Sequence, residues 1–404
     1  MIPDIPATAT AVARPSPRAQ TARLLFIDNI RWVMIMLVLS MHAAVTYSGV
    51  GSWYYNEGIR PRTPELLVFV TYQAFLQSFF MGLLFFIAGY FVPGAYDKKG
   101  ARRFLRDRAF RLGWPSLLYV FLIGPLTEYY VSGSWAGGSA DRSFLREYGH
   151  YITRLRFPGG TGPLWFCVAL LVFCFLYAAG RLFAGRTSLL LKRIQGTPRP
   201  FPGTPGVTGF ILLIAIASFF VRIPWPNGTS FYNMQFCYFP QYIAFFIAGT
   251  LAYRQSWLTT LSKATGKGWG IAARAGGLVF WFSLLWLGGA VSGHRGDFSG
   301  GLHWQSFGLC LWEAFVGTGL SIFVLALFRQ KFNRQGRWAS YFSDNAFAVY
   351  VFHPPILIGI TLAMAGLHWI PLLKFVLATL LCIVASFAFC SLIARRLPLL
   401  KRIL

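Results

Sequence analysis

Long apolar runs, separated by short charged or Gly/Pro-rich connections, fill the chain from about residue 30 to residue 394. Runs over about 30–48, 66–92, 112–132, 163–183, 207–222, 236–253, 271–292, 303–328, 341–362 and 371–394 come close to the ~20 residues that carry a helix across a hydrocarbon core. The pattern predicts an all-α, polytopic membrane protein of about ten transmembrane helices. An even number of crossings returns both termini to the same side. The fifth run is the shortest and is expected to be shielded by its neighbours. Residues 1–22, MIPDIPATATAVARPSPRAQTA, hold no continuous apolar core ahead of a small-residue cleavage site. They read as a disordered tail and not as a signal peptide. The expected organisation is a tail over 1–23 and one membrane-embedded domain over 24–404.

Composition agrees with that pattern: 56% of the 404 residues are hydrophobic and only 12% charged. A net charge of +25 suggests nucleic acid at first sight. That partner is excluded, because the cations sit in short blocks between apolar runs. Of the 37 Lys and Arg residues, 28 fall on one set of flanks and eight, Arg222 among them, on the opposite loops, with Lys374 just inside the last span. Since Lys and Arg in short loops stay on the cytoplasmic side, both termini are expected to be cytoplasmic. The six cysteines lie in or beside apolar segments without CxxC spacing, so they read as packing residues, with no metal site and no disulfide expected.

Polar residues inside the apolar runs carry the candidate chemistry. In the first span, FIDNIRWVMIMLVLSMHAAVTYS, Arg31 and His42 are eleven positions apart, nearly the same helix face and roughly 16 Å along the axis. With Arg31 at the water boundary, His42 lies near the middle of the bilayer. An ionisable residue at that depth is a functional candidate, although an interhelical hydrogen bond would also account for it. Glu313 sits near the middle of the eighth span and calls for a partner. In the ninth, Ser343 or Asp344 is an expected N-cap. His353 follows about nine residues later, before Pro354 and Pro355, which deprive two upstream carbonyls of their helical donors.

Three further features admit two explanations each. The connection DKKGARRFLRDRAFRLGWP holds seven cations between Lys98 and Arg111, suited either to a multiply phosphorylated ligand or to anionic lipid headgroups. Trp53, Tyr54, Tyr55 and Trp135 in outer loops suit either sugar stacking or the membrane interface. The string FFIAG occurs at 85–89 and again at 245–249, compatible with close helix packing or with the internal repeats of transporters.

FIDNIRWVMIMLVLSMH resembles the first helix of the acyltransferase-3 family of integral-membrane O-acyltransferases, whose signature is an Arg, ten residues, then a His. The likeness continues through LLFFIAGYFV, RAFRLGWP with Arg108, Arg111 and Pro115, GPLWFCVALL, YFPQYIAFFIAGTLAYR and NAFAVYVFHPP, and spans about residues 24 to 400. The opening FIDNIR and the ending LPLLKRIL are similar to the branch that acts on periplasmic glucans. The resemblance implies a bacterial inner-membrane enzyme that moves a short acyl group, acetyl or succinyl, from cytoplasmic acyl-CoA to a hydroxyl of a carbohydrate or glycan. It implies His42 as general base or acyl carrier, and Arg31 with Arg108 and Arg111 as holders of CoA. Glu313 and His353 are candidate orienting groups. Acyl-CoA enters as donor substrate, and no tightly bound cofactor is expected. The competing class is a transporter of a small anionic or acylated solute.

Overall fold

A computed structural model describes residues 24–58, 61–132, 144–153, 160–183, 199–290, 292–397 and 400. The expected N-terminal tail and Trp135 lie outside the described residues. The described residues are helical, joined by turns and loops. The principal helices are α1 (Leu25–Ser48), α2 (Thr63–Arg108), α3 (Trp165–Phe183), α4 (Thr204–Arg222), α5 (Phe239–Arg254), α6 (Gly277–Leu287), α7 (Trp304–Lys331), α8 (Arg337–Ala363) and α9 (Pro371–Leu392).

Nine helical runs among the described residues are long and apolar enough to cross a membrane. One of them, Thr63–Val131, is 69 residues long, far more than one crossing of ~20 residues requires. Gly100 breaks it, with φ 72 and ψ 166. Across that break Lys99 Nζ lies 2.5 Å from Asp107 Oδ2, and the Tyr96 and Phe104 rings lie 5.7 Å apart. Both pairs are eight residues apart, roughly 12 Å in a straight helix, so the chain turns back here. The second and third predicted spans are therefore two helices joined at Gly100.

The two FFIAG strings pack against each other. A Cβ on Gly89 would collide with the Phe246 carbonyl, and one on Gly249 with the Phe86 carbonyl. Phe85 stacks on Tyr242 at 5.0 Å, and Gly82 approaches Phe245. Each contact is the mirror of another under exchange of 85 with 245, so α2 and α5 run parallel about a local pseudo-two-fold axis. The repeat is a packing device in which the missing side chains let the backbones meet. Gly249→Val is expected to push α2 and α5 apart and lower the thermal midpoint in detergent by several degrees, as overpacking of ~1–3 kcal/mol does; an unchanged midpoint would show that the two helices need no such approach.

On the side of the basic connection, Asp97 binds Arg181 at 3.2 Å and Arg254 at 2.6 Å, tying the ends of α2, α3 and α5 together. All six cysteines are buried free thiols. The expected capping of the ninth span by Ser343 or Asp344 is corrected: α8 begins at Arg337 with Gly336 as N-cap. The helix starts earlier because Asn29 of α1 holds the preceding turn, donating to Phe332 O at 2.7 Å and Arg334 O at 3.0 Å.

Candidate functional site

The Asn29 contacts fix the register of α1 and α8. His42 lies 17 residues beyond Leu25, and His353 lies 16 residues beyond Arg337. At 1.5 Å per residue the two histidines reach the same height. Their rings stand 5.4 Å apart, 17° from parallel.

A third ring completes the site. The chain leaves α1 through Gly49, which caps the helix in the left-handed conformation, and folds back so that Trp53 stacks on His42 at 3.8 Å and 17°. Trp53 lies 6.2 Å from His353, with planes 10° apart. That separation is much shorter than the other two combined, so the rings form a triangle and not a column. The loop is pinned at several points. Gln73 Nε2 donates to Val50 O at 3.1 Å, Glu57 N to Thr46 O at 3.3 Å, and Tyr119 OH to Tyr54 OH at 2.9 Å. Burial pushes the Tyr54 phenol up, which keeps its hydroxyl protonated. At the far end of the loop Glu57 pairs with Lys374 of α9, whose Nζ also donates to Leu367 O at 3.0 Å.

His353 is fully buried, and its Nδ1 meets the Tyr350 carbonyl at 2.9 Å. A carbonyl only accepts, so Nδ1 carries the proton and Nε2 holds a lone pair. No side chain or backbone group of the described residues partners His353 Nε2 or Trp53 Nε1. A buried acceptor and a buried donor thus stand beside His42, which keeps partial access to solvent. Such a pair can bind a substrate that brings both a hydroxyl and a carbonyl oxygen.

Nearly two turns above the start of α1 on the basic side, Arg31 has a half-exposed side chain 3.6 Å from Asp28. Arg108 is close enough for its charge to act on Arg31, and its guanidinium lies over the Phe104 ring at 5.4 Å. Arg111 is exposed one turn further on. Arg31 and His42 therefore mark two levels of one helix, with the cationic group at its mouth.

Glu313 belongs to another cluster. It pairs with Arg222 at the end of α4, and Arg222 lies over the Tyr238 ring at 5.3 Å. Arg222 is fully buried, which corrects its assignment to an outer loop. Lys374 is likewise fully buried and paired. The partner for Glu313 was legible in principle: a carboxylate within a span needs a cation, and Arg222 closes an apolar run. Trp53, read from the sequence as suited to sugar stacking or the membrane interface, was missed as a neighbour of His42 because an aromatic just outside a span is ordinary at that interface.

Residues 24–395 match a family described as an acyltransferase domain. The chain is also similar to glucans biosynthesis protein C of Escherichia coli O157:H7, at 25% identity over 346 residues, covering 82% of this chain and 81% of that protein. The Shigella dysenteriae serotype 1 protein of the same name is 24% identical over the same length. No solved structure gives a significant match.

Proposed function

This chain belongs to the acyltransferase-3 family and is a multi-pass membrane acyltransferase, and from that premise we propose that it moves a short acyl group, acetyl or succinyl, from cytoplasmic acyl-CoA to a hydroxyl of a carbohydrate or glycan. The observation that carries the reading is the placement of His42 beside Trp53 and His353, on the same helix as Arg31. The glucan named by the relatives supports a carbohydrate acceptor, their bacterial hosts support a bacterial inner membrane, and the charge pattern supports both termini in the cytoplasm.

In this reading Arg31, Arg108 and Arg111 hold the phosphates of CoA by charge-assisted hydrogen bonds, and the acyl arm runs along α1 to His42. A neutral imidazole of His42 takes the hydroxyl proton while the hydroxyl oxygen attacks the thioester carbonyl. The new C–O bond replaces the C–S bond, and the proton passes to the departing sulfur, which leaves as the CoA thiol. Trp53 Nε1–H is placed to stabilise the oxygen that gains charge during the attack.

The test is purified protein in liposomes, with acetyl-CoA or succinyl-CoA inside and candidate glycans outside. The expected result is CoA release inside and an O-acylated glycan outside. Movement of solute without CoA consumption would support the transporter instead. Arg108→Ala is expected to weaken CoA binding about 10- to 100-fold at low salt, the ~1.5–3 kcal/mol of a charged hydrogen bond, with the difference shrinking as ionic strength rises. A calorimetric affinity equal to wild type would leave Arg108 to the lipid headgroups.

A further inference from the structure

In an α-helix the N–H of residue 354 would bind the carbonyl of Tyr350, four positions back. Residue 354 is Pro354, inside α8 and buried, so that bond is missing and the Tyr350 carbonyl is released. The released carbonyl is the one that His353 Nδ1 meets at 2.9 Å. The next proline, Pro355, frees the Val351 carbonyl instead. Thus the two prolines have different consequences: one frees the nearer partner of the His353 ring, which also meets the Val349 carbonyl, and the other frees none.

We propose that Pro354 is a positioning residue for the acyl transfer. By freeing the Tyr350 carbonyl it holds the His353 proton on Nδ1, and so presents Nε2 as an acceptor beside His42 for a hydroxyl of the glycan. The His42 ring makes no hydrogen bond to that nitrogen and stays free as the base. A hydroxyl that donates to Nε2 holds the neighbouring, attacking hydroxyl within reach of His42. The two rings, 5.4 Å apart, are close enough to act on one substrate. Burial of Nε2 without a partner marks it as the acceptor kept for that hydroxyl. The inference rests on His42 acting as the base, as proposed above.

The experiment compares Pro354→Ala with Pro355→Ala in full-length protein carrying 15N-labelled histidine, with the His353 signals assigned by their loss in His353→Gln. Nitrogen shifts separate an N–H nitrogen from one with a lone pair. Wild type and Pro355→Ala are expected to show His353 protonated at Nδ1 alone. In Pro354→Ala the new backbone N–H competes for Tyr350 O, and both tautomers should appear. The same variant should lose about 10- to 100-fold in kcat, below the roughly 10⁴-fold that a wholly wrong tautomer costs a histidine base, with KM for acyl-CoA unchanged. Pro355→Ala, which relaxes the same stretch of helix, should stay within about twofold. The proposal is overturned if Pro354→Ala keeps the Nδ1 proton alone, or if both proline variants lose activity equally. A separate failure, full activity in His42→Ala, would remove the base while leaving the tautomer result standing.

Discussion

His42→Ala is expected to lower kcat by about 10²–10⁴-fold, the range for loss of a general base, while acyl-CoA affinity stays within about twofold because the cations proposed to hold CoA lie at the mouth of the helix. The side chain is small against its surroundings, and Trp53 and His353 remain to fill part of the space, so the variant should fold. The measurement is CoA release and O-acyl product in sealed liposomes, with folding checked by thermal midpoint. A folded variant with wild-type turnover would remove His42 from the chemistry. The same variant separates two routes. If acyl transfer passes through a covalent intermediate on His42, radiolabelled acyl groups will be trapped on wild-type protein in the absence of acceptor and not on His42→Ala. If transfer is direct, neither protein will hold label.

Depth within a single helix is a property of sequence, and that is why Arg31 and His42 were legible. Eleven residues fix both the rise and the face, whatever the neighbours do. The effect of Pro354 was legible for the same reason, since the missing donor belongs to a carbonyl four residues away. Contacts between helices follow a different rule. Nothing in the α1 or α8 sequence alone says that His42 and His353 meet; that depends on Asn29 gripping the turn before α8, a choice made by tertiary packing. At Gly100 the backbone leaves helical φ/ψ for a single residue, and the chain reverses there with no loop between the two helices.

Charge counting failed in an instructive way at Arg222, and Lys374, expected just inside the last span, is buried there as well. The rule for orientation treats every cation near the end of a span as solvated, whereas these two are buried against Glu313 and Glu57. Lys374 already stood apart from the outer count, and removing Arg222 leaves fewer cations on that side and so strengthens the asymmetry. It also leaves both ion pairs in need of a purpose. For Glu57 and Lys374 the purpose is visible in the chain path: they close the far end of the loop that lays Trp53 on His42.

Lys374→Met is accordingly expected to destabilise the protein by about 3–5 kcal/mol, the cost of stranding one partner of a buried ion pair. Glu57 would be left with a charge on a side chain that is 6% exposed, and it can regain water only if the loop opens. Opening lifts Trp53 away from His42, so Trp fluorescence should shift to longer wavelength and quenching by a water-soluble agent should rise. The double variant Glu57→Gln with Lys374→Met has no stranded charge, and replacement of both partners by neutral groups is often close to neutral in stability. It should recover most of the thermal midpoint and the buried Trp signal. This recovery is the decisive measurement: if the double variant is as unstable as Lys374→Met alone, packing around the Lys374 stem and not the ion pair holds the loop. If midpoint returns while turnover does not, the charge pair acts on the reaction as well, through the position of Trp53 over the imidazole.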